Sequence, residues 1–143
     1  MSLSASTPKS GNRVALDTSV AIDVLAAKAD ARLLSSVSEH LLPAPVVGEL
    51  RYGALNSRKA AENLAKVEAL VTRCVVLNVT VATATVYAEL RLALRQKGKP
   101  IPENDLWIAA LCVEHQVPLA AFDAIDDLKR WRNEAPRSET DAP

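Results

Sequence analysis

Short apolar runs alternate with stretches of helical period along the chain. Val14-Ala15-Leu16 is an apolar run closed by Asp17, the pattern of a buried strand with a carboxylate at its carboxyl end. Thr18 and Ser19 offer hydroxyls to cap a helix that carries Val20, Ile22, Val24 and Leu25. Asp30 is placed to cap a second helix with Leu33, Leu34 and Val37 on its inner face. Leu41-Leu42 predicts a second strand, stopped by Pro43 and Pro45. Pro45 suits the first turn of a helix bearing Val46, Val47, Leu50 and Ala54. Ser57 is positioned to cap a further helix with Leu64, Val67, Leu70 and Val71 inward, and Cys74 to Leu77 predicts a third strand. Thr80 caps a long helix in which Tyr87, Leu90 and Leu94 follow 3/4 spacing, and Gly98 ends it. Asn104 predicts the cap of a helix from Asp105 to about His115. That helix is apolar almost all round and therefore central. Leu119 to Phe122 forms a fourth strand, and a last helix is expected from about Ile125 to Trp131.

Strands alternating with helices imply a parallel sheet covered on both faces and doubly wound by right-handed crossovers. The functional crevice of such a sheet lies outside the carboxyl ends of its strands. The 143 residues suit one domain. We expect it over residues 13–131, with a flexible arm over 1–12 and a polar tail over 132–143. The hydrophobic fraction of 49% and charged fraction of 24% place the chain among soluble globular proteins. No apolar run suggests a membrane span and the first residues do not read as a secretory signal, so a cytoplasmic protein is expected. Cys74 and Cys112 form no CxxC pair and read as reduced core thiols. His40 and His115 share no ligand spacing. Zinc chemistry and Ser-His-Asp catalysis thus lack support, as do dinucleotide and P-loop sites, for which no glycine-rich signature exists among four glycines.

The rule of strand ends singles out carboxylates. Asp17 follows the first strand and Asp123 the last. Asp105 lies in the first turn of the buried helix, and Glu49 on the helix after the second strand. Each has a plain structural explanation as a cap, a dipole partner or a solvated face. Glu49, however, interrupts the apolar run PVVGEL, where a charge is costly unless paired or coordinated, and the adjacent Gly48 leaves room for a close approach to the backbone. Carboxylates gathered at one sheet edge repel each other. A hard cation such as Mg²⁺, which takes oxygen ligands and keeps several waters, relieves that repulsion.

The same residues carry a family resemblance. Val14 to Asp23 (VALDTSVAID) resembles the first motif of PIN-domain ribonucleases. Pro45 to Ala54 (PVVGELRYGA) is similar to their second motif, Ile101 to Ala110 (IPENDLWIAA) to the third and Leu119 to Asp123 (LAAFD) to the fourth. Order and spacing over roughly residues 13 to 128 resemble short bacterial members of the VapC toxin kind. The resemblance implies an α/β fold, a PIN-like three-layer α/β/α sandwich with a short, mainly parallel central sheet. It implies an acidic cluster of Asp17, Glu49, Asp105 and Asp123, with Asp17 and Asp105 in contact with one or two Mg²⁺ or Mn²⁺ ions and Thr18 or Ser19 as an orienting hydroxyl. The implied activity is endonucleolytic hydrolysis of an RNA phosphodiester, in tRNA or ribosomal RNA, leaving a 5′-phosphate and a 3′-hydroxyl. The implied partner is a VapB-type antitoxin, in a homodimer or a hetero-oligomer with it, away from membranes. The chain departs from the family at Ala121, where Thr is usual, and at Asp126, where an aromatic is usual.

The other readings are a non-catalytic PIN-like RNA-binding or scaffold module and an unrelated acidic-pocket α/β protein. A haloacid-dehalogenase phosphatase needs a second Asp two residues after the first, where Ser19 stands, and a response-regulator receiver needs an acidic pair and a late Lys that are not evident. Seventeen basic and seventeen acidic residues give a formal net charge of zero, which argues against binding nucleic acid by bulk charge. Local basic clusters remain around Arg51, Arg58 and Lys59, over Glu89 to Lys99, and at Lys129, Arg130, Arg132 and Arg137. At 3% aromatic residues the chain has little capacity for base stacking.

Overall fold

A computed structural model describes residues 13–27 and 37–120. The predicted helix starting at Asp30, the last helix, the second half of the fourth strand and Asp123 lie outside the described residues. Within them the elements run β1 (Arg13–Leu16), α1 (Thr18–Leu25), β2 (Glu39–Pro43), α2 (Ala44–Leu55), α3 (Ala60–Arg73), β3 (Val75–Leu77), α4 (Val81–Gln96), α5 (Glu103–Glu114) and β4 (Leu119–Ala120). All four strands pair in parallel, in the order β3-β2-β1-β4. Ala15 is the hinge of the register, opposite Leu41 on one side and Leu119 on the other. Ala15 and Leu16 are fully buried, as a strand covered on both faces must be.

This order explains where a site forms. The chain lays down β2 and β3 on one side of β1 and then returns to the other side for β4, so the direction of winding reverses between β1 and β4. A crevice opens at such a reversal, at the carboxyl ends of the strands. The Asp17 N–H donates to the Ala120 carbonyl at 3.1 Å and fixes this end of the two strands together.

The main core joins both sheet faces to the helices through Leu16, Leu41, Leu42, Val46, Leu50, Ile108 and Leu111. A second cluster, Leu90, Leu94, Leu106, Ala109 and Ala110, packs α4 on α5. The apolar-all-round helix is indeed central: Leu106 and Ile108 to Cys112 are buried. Thr83 is fully buried in this contact, and its hydroxyl donates to Glu114 Oε1 at 2.6 Å, which satisfies both polar groups.

The helix ends agree with the sequence in part. Thr80 caps α4 reciprocally with Thr83: the Thr83 N–H reaches Thr80 Oγ1 at 3.4 Å and the Thr80 N–H reaches Thr83 Oγ1 at 3.0 Å. Gly98, at φ +68°, terminates the same helix, with Lys99 N–H bonded to the Leu94 carbonyl at 2.9 Å. Gln116 adopts the same left-handed turn at φ +55° after α5, where buried Val117 anchors the chain on its way to β4.

Three expected caps fall elsewhere. Asp17, not Thr18 or Ser19, is the residue before α1, and its side chain makes no capping bond. Ser57 precedes α3 by too much to cap it. Its hydroxyl donates to the Ala54 carbonyl at 2.6 Å and accepts from Asn63 at 2.8 Å, tying the end of α2 to α3. Pro102 precedes α5, which leaves Asn104 inside the first turn with its amide available for another partner.

Replacing Thr80 by Ala removes one half of the reciprocal cap. We expect a loss of about 1 kcal/mol and a Tm lower by roughly 3–5 °C, read by thermal melting of the purified chain.

Candidate active site

The site grows from the carboxyl end of β1. Asp17 is held there by its own backbone bond to β4 and is half-buried. Glu49 projects from α2, which follows directly on β2, and Asp105 from the first turn of α5. The three carboxylates feel one another. Burial pushes the Asp17 pKa up, the Thr18 backbone N–H pulls it partly back, and the Asp105 charge raises it again. Glu49 is likewise raised, first by desolvation, and further by the charges of Asp105 and Asp17. The Thr18 hydroxyl draws Glu49 back toward ionisation. That hydroxyl is buried and meets no partner in strict hydrogen-bonding geometry, so it sits beside the acids as an unsatisfied polar atom.

Of the four acids expected to cluster, the fold therefore brings Asp17, Glu49 and Asp105 into electrostatic contact, and Asp123 is outside the described residues. Among the described residues, no three His, Cys, Asp or Glu side chains stand close enough to chelate a metal ion by themselves. The donor set nonetheless fits a hard cation. It consists of oxygens only, its carboxylates repel, and a buried hydroxyl beside it lacks a partner. These are conditions for a cation held largely through water.

A residue not singled out as functional completes the site. The Asn104 side-chain amide donates to Glu49 Oε1, across from α5 to α2. The sequence offered one signal for it: an amide directly before Asp105, which local rules assign to a cap. Gly48 is exposed, and a Cβ there would meet nothing within 4 Å, so packing within the described chain does not require glycine.

Two of the expected cations are engaged. Arg51 binds Glu68 through two bonds, 2.7 and 3.0 Å, and links α2 to α3. Arg91 donates to the Tyr87 hydroxyl at 2.9 Å and lies 4.0 Å from Glu103. Tyr87 also hydrogen-bonds Glu103 and stacks on Trp107, with ring centroids 3.9 Å apart. The first turn of α5 is thus braced on both sides of Asp105.

Residues 14–131 match the PIN domain. The chain belongs to the PIN domain family. Ribonuclease VapC2 of Rickettsia felis is 28% identical over 123 residues, covering 82% of this chain and 91% of that protein. Among solved structures, VapBC2 from Rickettsia felis bound to a promoter DNA fragment superposes with a TM-score of 0.73 at 26% identity, over 82% of this chain and 92% of that one. DNA-bound VapBC from Salmonella typhimurium gives 0.68 at 28% identity, over 73% and 82%. VapBC-1 from nontypeable Haemophilus influenzae gives 0.74 at 23% identity over 85% and 93%, a likeness of fold. The parallel sheet flanked by helices is accordingly a PIN fold, as the four motifs implied. No helix of this PIN domain, among the described residues, is long and apolar enough to cross a membrane.

The raised pKa of Asp17 has a consequence for stability. The folded state holds the proton more tightly than the unfolded chain, so Asp17 is most favourable to folding below its unfolded value and becomes unfavourable as pH rises through its raised folded value. Asp17→Asn removes the buried charge. We expect its Tm, measured without divalent cations, to exceed that of the parent at neutral pH and the difference to vanish in acid.

Proposed function

We propose that this PIN domain is a metal-dependent endoribonuclease, the toxin of a VapBC-type toxin–antitoxin pair, acting on tRNA or ribosomal RNA. The observation that carries the reading is the mutual repulsion of Asp17, Glu49 and Asp105 at the carboxyl end of a parallel sheet, beside a buried, unsatisfied hydroxyl. Acids gathered in such a crevice, two of them with raised pKa values, mark a candidate chemical site. The likeness to Ribonuclease VapC2 and to VapBC assemblies supports the same activity and a VapB-type partner, with a dimer or a hetero-oligomer as the assembly. A cytoplasmic location follows from that role.

Asp17 and Asp105 would hold Mg²⁺ or Mn²⁺, with Asp123 completing the acidic set. Such a cation supplies neutralisation of phosphodiester charge and acidifies water. The chain's own groups do the rest. Glu49, its pKa raised by burial and by its acidic neighbours, is suited to take a proton from the attacking water. Asn104 occupies Oε1, which leaves Oε2 for that proton. The water oxygen forms the new bond to phosphorus, the bond from phosphorus to O3′ breaks, and O3′ is protonated from solvent. The products are a 5′-phosphate and a 3′-hydroxyl.

The test is incubation of the purified, partner-free protein with total RNA in Mg²⁺, Mn²⁺ or EDTA, beside Asp17→Asn and Asp105→Asn. Discrete metal-dependent cuts are expected, with cleavage lowered about a hundred-fold or more in either variant. Folded, metal-supplied protein that cuts no RNA class would favour the non-catalytic module, and variants as active as the parent would remove the assigned acids from the mechanism.

A further inference from the structure

We propose that Asn104 is a positioning residue that sets Glu49 against Asp105, an inference that rests on the nuclease reading for its catalytic part but not for its structural part. Asn104 and Glu49 are 55 positions apart, on the first turn of α5 and the middle of α2, and the Asn104 amide donates to Glu49 Oε1. Helix formation does not account for this amide, because Pro102 occupies the capping position and no side chain caps α5. Asn104 immediately precedes Asp105, so whatever holds Asn104 to α2 also fixes how far the Asp105 carboxylate stands from Glu49. The two carboxylates repel, and the Asn104 bond is an attraction between the same two helices at the same place.

The chemistry of the donor matters. An amide carries no net charge, so it holds Glu49 without neutralising it and leaves the negative potential of the site intact for a cation. A lysine would add a positive charge where the cation would belong, and an aspartate would add a further repelling group. The amide also distinguishes the two oxygens of Glu49: Oε1 is bonded and Oε2 is presented. Glu49 is thereby located from a second element, α5, as well as from its own helix. Supporting groups of this kind typically alter activity by about 10- to 100-fold when removed.

The experiment compares Asn104→Ala, Asn104→Asp and Asn104→Gln in the intact chain, each alone and with Glu49→Gln. Far-UV dichroism and thermal melting establish that each folds. Two quantities are read: kinetics on an RNA that the parent cuts, and the unfolding equilibrium in urea. We expect Asn104→Ala to lower kcat about 10- to 100-fold with KM little changed, Asn104→Asp to lower it further, and Asn104→Gln to recover part of the loss. In the Glu49→Gln background Asn104→Ala should lower kcat no further. In urea the pair should show a coupling of roughly 3- to 10-fold in the unfolding constant. Full kcat in a folded Asn104→Ala, the same proportional loss with Glu49→Gln present, or no coupling in urea would overturn the proposal. Coupling in urea from a parent that cuts no RNA counts against the nuclease reading and for the Asn104–Glu49 tie.

Discussion

Repulsion among carboxylates gathered at one end of the sheet is the constraint around which this domain is arranged. Asp17 and Glu49 both lose solvation at the site, and both feel Asp105. Left alone, three such groups would separate or take up protons. They stay together because each belongs to an element fixed elsewhere. Asp17 is anchored by the β1–β4 backbone bond, Glu49 by the buried Val46, Val47 and Leu50 around it, and Asp105 by the buried face of α5 that begins at Leu106. The free energy that opposes the repulsion comes from apolar burial at a distance of only a turn or two.

The second core, between α4 and α5, has a particular part in this. Helix α5 supplies residues to the main core through Ile108 and Leu111 and to the second core through Leu106, Ala109 and Ala110. A helix held on both sides cannot tilt to move Asp105 away from its neighbours. At its far end Glu114 is fixed by the buried Thr83, and at its near end Glu103 is bound by Tyr87. The stacked Tyr87 and Trp107 rings add a further contact between the two helices near that end. Two of the chain's five aromatic residues are thus committed to each other, while Tyr52 on α2 is exposed, so any recognition of RNA by this domain would depend mainly on shape and phosphate contacts.

The distribution of charge carries the same theme. A chain of zero formal charge presents an acidic centre whose approach by a phosphodiester is unfavourable unless a cation and peripheral basic groups offset it. Arg51 and Arg91 answer to Glu68 and to Glu103 with Tyr87, so part of the basic content braces helices and is not reserved for RNA.

Much of this was legible in the residues. The apolar runs at Val14, Leu41 and Leu119 gave parallel strands because strands covered on both faces are continuously apolar, and strand ends then pointed to Asp17. Glu49 stood out because a charge interrupts the apolar run PVVGEL, although the fold turns that position outward and leaves it exposed, and Thr80 and Gly98 marked helix ends through local backbone chemistry. The sequence did not show the partner of Asn104, the ties of Arg51 and Ser57, or the brace of Tyr87 on Glu103. Local rules assigned Asn104 and Ser57 to caps, since a polar side chain near a helix start most often serves its own backbone. Only the tertiary structure brought Glu49 within reach of Asn104, because a hydrogen bond across 55 positions leaves no periodicity to read. Local pattern determined which elements form and which faces are buried; the packing of α5 between two cores decided which of the exposed polar groups meet.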